Sequence, residues 1–155
     1  MTSRDASART PAGVLAGAEP FVEVLSRSIA AARRDDEAVC VAVLGLHGEA
    51  GDAQIAPIGA ALARSIRGGD VVARLDGPRF GLVLHRCELD ILDIVARRLA
   101  AQVPSPLAGS LGIAYFSDPP PGDDREAADH ILSTAAEALS EALAGGQARV
   151  VVRTR

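Results

Sequence analysis

The sequence predicts one α/β (α+β) domain in which helices cover a single sheet built on a ferredoxin-like βαββαβ core. Three observations predict it. Helical-period segments and short β-branched apolar runs alternate along 155 residues, a length that suits one domain with a real core. An Asp-Gly turn at 76–77 joins two apolar runs into a central hairpin. Apolar residues make up 48%, which argues against disorder over most of the length, and no internal repeat or linker divides the chain.

Residues 1–17, rich in Ser, Ala, Gly and Arg, read as a flexible N-terminal arm, leaving 18–155 as the domain. Pro20 suits a first helical turn. Phe21, Val24, Leu25, Ile29 and Ala32 follow at helical spacing, and Arg33-Arg34 complement the dipole at the end. Residues 39–44 form a β-branched apolar run, the pattern of a buried strand. Asp52 stands as N-cap of a helix whose buried face is marked by Ile55, Ile58, Leu62 and Ile66, with Pro57 falling inside it. Strands at 71–75 and 80–85 flank the turn, and Leu89, Leu92, Val95, Ala96 and Leu99 mark another amphipathic helix. A strand at 110–116 leads to a surface loop through three prolines. A long Ala-rich helix, marked by Ala128, Ile131, Leu132, Ala135, Leu139 and Ala142, is stopped by Gly145-Gly146 and followed by a strand at 148–152.

Composition excludes several function classes. Net charge is −4 and the basic residues, all Arg, are dispersed, unlike those of a general polyanion binder. Three Phe, one Tyr and no Trp do not favour a base-stacking surface, so no nucleic-acid partner is expected. No apolar run approaches membrane-spanning length and the N-terminal stretch has no continuous apolar segment of signal-peptide type. The expectation is a cytoplasmic protein with no membrane partner. Cys40 and Cys87 lack metal-ligand spacing and read as small buried thiols, not as a disulfide or a zinc site. His47, His85 and His130 lie in different elements with no ligand spacing, and Ser110 has no legible His or Asp partner.

RGGDVVARLDGPRFGLVL, residues 67–84, resembles the signature of the GGDEF family of diguanylate cyclases, in which an Arg-x-x-Asp precedes a strand, an Arg, and then Gly-Gly-Asp/Glu-Glu-Phe. Here the signature turn reads Asp76-Gly77-Pro78-Arg79-Phe80. The flanks agree in order and spacing: GDAQIAPIGAALARSIR resembles the family's Gly-Asp-x-x-Leu helix, LAGSLGIAYF its Ser-x-Gly-Ile-Ala strand, and ILSTAAEALSEALAGGQARV its C-terminal helix. FVEVLSRSIAAARR resembles the helix after the family's Asp-x-Leu-Thr-Gly-Leu-x-Asn-Arg start. The resemblance implies a nucleotide-cyclase-like fold with a central, mainly antiparallel sheet flanked by helices.

Diguanylate cyclases join two GTP molecules by phosphoryl transfer, which depends on metal-bridged phosphates. The family holds Mg²⁺ with an Asp at the end of the first strand and an acid in the signature turn. Here the Asp position falls near Gly45, which has no side chain, and the turn acids are replaced by Pro78 and Arg79. An Arg places a cation where a cation would bind. Only HGEA separates Leu46 from Gly51-Asp52, so the family's stretch carrying the base-pairing Asn is missing. Asp52 matches the family's base-binding carboxylate, Leu143 and Gln147 stand at its Lys and Arg phosphate contacts, and Ser140 at its Tyr. The resemblance therefore implies a degenerate, inactive domain: not an enzyme, with no catalytic residue, no metal and no cofactor.

A different feature survives. The family's product-inhibition site, the I-site, is an Arg-x-x-Asp five residues before the signature turn, and Arg67-Gly68-Gly69-Asp70 stands at that spacing. A further Arg on the following helix contributes in the family; Arg98 lies there, beside Arg97. Arg grips a guanine edge or phosphate bidentately, and Asp accepts from guanine N–H groups. Gly68-Gly69 gives the backbone close access to a ligand. The same residues also suit structural roles, Arg67 on a helix dipole and Asp70 in a turn. Two readings stand: a cyclic-di-GMP receptor through Arg67, Asp70 and Arg98, or a nucleotide-independent module for homodimerisation or a regulatory protein partner. Arg74 reads as a structural ion-pair partner.

Overall fold

The computed structural model describes residues 13–146 and 148–155. Strands β1 (Leu15–Ala16), β2 (Val39–His47), β3 (Val71–Arg74), β4 (Arg79–Leu84), β5 (Ala108–Phe116) and β6 (Val150–Thr154) form one sheet in the order β1-β3-β4-β2-β5-β6. Helices α1 (Ala18–Asp35), α2 (Asp52–Ser65), α3 (Leu92–Ala100) and α4 (Asp124–Ala144) cover it. The central pairings β3-β4, β4-β2 and β2-β5 are antiparallel, while β1 and β6 add parallel edges. The inner four strands thus make two interleaved βαβ crossovers, the arrangement expected from the sequence.

Alternation along β2 divides the core. Cys40, Ala42, Leu44 and Leu46 face α2 and α3, where Ile55, Ile58, Leu62, Leu92, Ala96 and Leu99 pack. Val39, Val41 and Val43 face α1 and α4, against Phe21, Leu25, Ile29, Ile131, Ala135 and Leu139. β2 is apolar on both faces because helices cover both.

Several expectations are corrected. Leu15 and Ala16, expected in the flexible arm, pair in parallel with Ala73 and Arg74, and Val14 and Leu15 are buried; residues 1–12 of that arm lie outside the described residues. Two paired residues are too short to show a period. Asp52 is the first helical residue and not the N-cap, which is Gly51; Gln54 reaches back to accept the Gly51 N–H. Pro57 does not break α2. It is exposed, as is Ala53, whose carbonyl loses the Pro57 N–H as donor and is open to water. Leu89 is not on a buried helical face. It opens a 3₁₀ turn, Leu89–Ile91, and is 49% exposed. The last strand begins at Val150, two residues later than expected.

The proline loop is tied down by the guanidinium of Arg33, which donates to Pro120 O and to Asp124 Oδ1, each at 2.6 Å. Asp123 then caps α4 by accepting the Glu126 N–H at 2.8 Å. No helix among the described residues is long and apolar enough to cross a membrane.

α4 lies directly on the backbone of β5. A Cβ placed at Gly112 would stand 2.1 Å from Leu139 N and 2.3 Å from Ala135 O. Neither atom can yield without lifting the helix. Gly112→Ala is expected to cost about 3 kcal/mol or more, read as a lower midpoint in urea unfolding; an unchanged midpoint would contradict the close approach.

Candidate ligand-binding site

The β3–β4 hairpin presents two ends. At its turn, Leu75 N–H donates to Arg79 O at 3.0 Å and Gly77 takes φ +59°, a left-handed position that suits glycine. Phe80, last residue of the Asp76–Phe80 turn, is buried against Gly59 of α2, where a Cβ would come within 2.8 Å of its ring. Arg79 pairs in register with Gly45 of β2, and Gly45 pairs on its other side with Ser110 of β5. The space in front of Gly45 is apolar: a Cβ there would meet Leu139 Cδ2 at 3.0 Å and Leu143 Cδ1 at 3.4 Å. Gln147, the other position matched to a phosphate contact, lies outside the described residues. Among the described residues, no group of three or more His, Cys, Asp or Glu is arranged to hold a metal ion.

Asp52 sits nearby but is engaged. Its Oδ1 accepts from Arg74 Nη2 at 2.8 Å, the ion pair expected for Arg74. The pair is mostly exposed on the Asp52 side and contributes little to stability. Ser110, without a legible partner in the sequence, is fully buried and lies 2.7 Å from His47 Nε2, while its Oγ accepts the Arg149 N–H at 3.0 Å. This joins β2, β5 and the start of β6. With no third group orienting the imidazole among these contacts, it is a structural pin.

The other end of the hairpin carries the Arg-Gly-Gly-Asp loop. Asp70, at the mouth of β3, accepts the His85 N–H on Oδ1 at 2.7 Å and the Arg67 N–H on Oδ2 at 3.2 Å. Arg67 Nη2 donates to His85 O at 3.3 Å, and Asp70 N–H to Arg67 O at 3.0 Å. The carboxylate staples the loop to the end of β4, and each oxygen keeps a further lone pair for a ligand. Gly69, at φ +92°, makes the turn that brings Asp70 back onto Arg67.

Arg67, Gly68, Gly69, Asp70, His85 and Arg86 line an open hollow of about 410 Å³. Arg86 went unnoticed in the sequence, where nothing marks it. It takes φ +53°, rare for a non-glycine residue, and its nearest acid is Glu37 at 3.9 Å. Arg98 does not line the hollow. It lies in the last turn of α3 and, like Arg67, acts electrostatically on Cys87 behind the loop. Arg97 is exposed beside it. The structure thus brings Arg67, Asp70 and Arg86 together and leaves Arg98 outside the hollow's lining. Asp70→Ala removes two acceptors from main-chain donors and is expected to lower stability by about 1–3 kcal/mol, measured by urea denaturation; no change would contradict the staple.

The profile of the family "Diguanylate cyclase, GGDEF domain" matches residues 44–149. No curated protein gives a significant match. Among solved structures, the diguanylate cyclase SiaD from Pseudomonas aeruginosa, in complex with its activator SiaC, is similar at TM-score 0.81 and 18% identity over 98% of this chain and 64% of that one. The chain therefore spans less than two thirds of SiaD. The coiled coil and GGDEF domain of DgcB from Caulobacter crescentus, in complex with c-di-GMP, gives 0.76 and 19% over 98% of this chain and 88% of that one. The FimX GGDEF domain from Pseudomonas aeruginosa gives 0.73 and 15% over 94% and 99%. At these identities the structures speak for the fold, while the profile covers most of the chain: it belongs to the GGDEF family.

Proposed function

We propose that this chain is a catalytically inactive, regulatory GGDEF domain that takes cyclic-di-GMP in the hollow of Arg67, Asp70 and Arg86, with Arg98, outside that lining, as a further contact for a ligand that extends beyond it. The observation that carries the reading is the contrast between the two ends of the β3–β4 hairpin.

At the turn end, the family's Mg²⁺ does not fit the residues present. Magnesium asks for oxygen ligands in near-octahedral order. Gly45 and Pro78 offer none from a side chain, and Arg79, in register with Gly45, adds a positive charge. A side chain at position 45 would enter an apolar space in which Leu139 would have to give way. Asp52 is bonded to Arg74. These residues support no phosphoryl-transfer step, and no cofactor belongs to the proposal.

At the other end, the chemistry suits a dianionic guanine dinucleotide. Arg67 and Arg86 face one open hollow with one carboxylate, a surplus of positive charge for phosphate. The hollow's volume is in the range of small-molecule sites. Asp70, held by main-chain donors, points free lone pairs at guanine N–H groups without reorganising. DgcB, a similar structure, is described in complex with the same nucleotide.

A second reading, a nucleotide-independent homodimerisation or partner-binding module, is favoured by Leu89 and Ile94, two large apolar side chains 49% and 67% exposed around α3. The SiaD–SiaC complex supplies a precedent for a protein partner.

Calorimetric titration with cyclic-di-GMP separates the readings. The receptor reading predicts micromolar or tighter binding, weakened about tenfold or more in Arg67→Ala through the loss of charge-assisted hydrogen bonds, and no heat with GTP and Mg²⁺. Absence of heat with cyclic-di-GMP would remove the receptor reading and leave the partner-binding one.

A further inference from the structure

Behind the Arg67–Asp70 loop, the fold brings the chain's two cysteines together. Cys40 is the second residue of β2, opposite Leu84 of β4 and Tyr115 of β5, with its side chain in the core facing α2 and α3. Cys87 follows β4 by three residues. The left-handed backbone of Arg86 turns the chain there, and Cys87 enters the same core cluster. The two thiols are near enough for Cys40 to interact with Cys87, whose own Sγ–H donates to Glu88 O at 4.0 Å. Both are free, and both are buried, at 2% and 6% exposure. Cys87 nonetheless forms part of the lining of a second open hollow with Glu37, Ala38, Arg86, Glu88 and Tyr115.

The pair is chemically unequal. The hydrogen bond from Cys40 holds the Cys87 thiol below its ordinary range; burial opposes this, Arg67 and Arg98 add to it, and Asp70 works against it. The same hydrogen bond, with burial, pushes Cys40 well up. Cys40 thus keeps its proton and donates it towards Cys87. A thiol made more acidic beside cations supplies the nucleophile of thiol chemistry more readily, and an adjacent thiol is its resolving partner.

We propose that Cys40 and Cys87 form an oxidisable dithiol, with Cys87 attacking a peroxide and Cys40 closing an intramolecular disulfide. In the first step the Cys87 thiolate attacks one oxygen of hydrogen peroxide. The O–O bond breaks, an S–O bond forms, and hydroxide leaves to take up a proton as water. In the second, the Cys40 sulfur attacks the Cys87 sulfenic acid. The S–S bond forms, the S–O bond breaks, and the departing hydroxide leaves with the Cys40 proton as water. Two thiols are oxidised by two electrons and one peroxide is reduced to two waters. The bond would clip β2 to the loop that bears Arg86.

The test is peroxide treatment of the whole chain, followed by alkylation of remaining thiols, intact-mass measurement and peptide mapping. The expected result is a protein lighter by two hydrogens, with neither cysteine alkylated, one cross-linked peptide pair joining positions 40 and 87, and full reversal by dithiothreitol. Cys40→Ser should stop at a sulfenic acid trapped by dimedone on Cys87, and Cys87→Ser should leave Cys40 reduced. Free alkylation of both cysteines after peroxide, disulfides found only between chains, or faster oxidation of Cys40 than of Cys87 would each overturn the proposal. None of these readouts involves a nucleotide.

Discussion

The close seat of α4 on the sheet is the constraint from which much else follows. Gly112 has no side chain, so the helix backbone at Ala135 and Leu139 rests on β5 itself. At that depth Leu139 and Leu143 reach over Gly45 at the end of the central strand. Gly45, the position that the resemblance matches to the family's metal-binding carboxylate, is thus part of the apolar packing under a helix. A charged group introduced there would need both room and a partner, and burying it without one costs several kcal/mol by the usual scale for such groups, roughly 2–7 even for a neutral polar one.

That packing gives the two ends of the β3–β4 hairpin different characters. Towards the turn end, leucines cover Gly45 and Arg79 stands in register beside it. The opposite end is open and polar, ordered by Asp70, whose carboxylate holds the Arg67 and His85 main chains together. A loop fixed by its own backbone contacts is preorganised, and a ligand that meets it loses less entropy on binding. The same end holds Cys40 and Cys87, so the charge state of those thiols and the cations of the loop share one neighbourhood.

The fold was legible in the sequence wherever apolar spacing was long enough to show a period. α1, α4, β2 and the Asp76-Gly77 hairpin follow from it, and the layered sheet follows from their order. β1 has too few residues for a pattern, and Leu89 shares the spacing of α3 while lying outside it. The site was legible only in part. Arg67 and Asp70 stand close in sequence, yet Asp70's partners are main-chain N–H groups, which every residue but proline carries and no motif marks. His47 and Ser110 are 63 residues apart and meet through the β2–β5 register. Cys40 and Cys87 meet because β2 pairs with β4 and Arg86 turns the chain back, and neither fact is written in cysteine spacing.

On the proposed inactive reading, the chain turns over no GTP. To measure this, the purified chain is incubated with GTP and Mg²⁺, then with Mn²⁺, and cyclic-di-GMP is quantified by chromatography and mass spectrometry against a protein-free blank. The expected result is no product above the blank with either metal. Metal-dependent formation of cyclic-di-GMP would contradict the inactive reading, and would mean that Gly45, Arg79 and the leucines above them rearrange to admit a metal and two nucleotides.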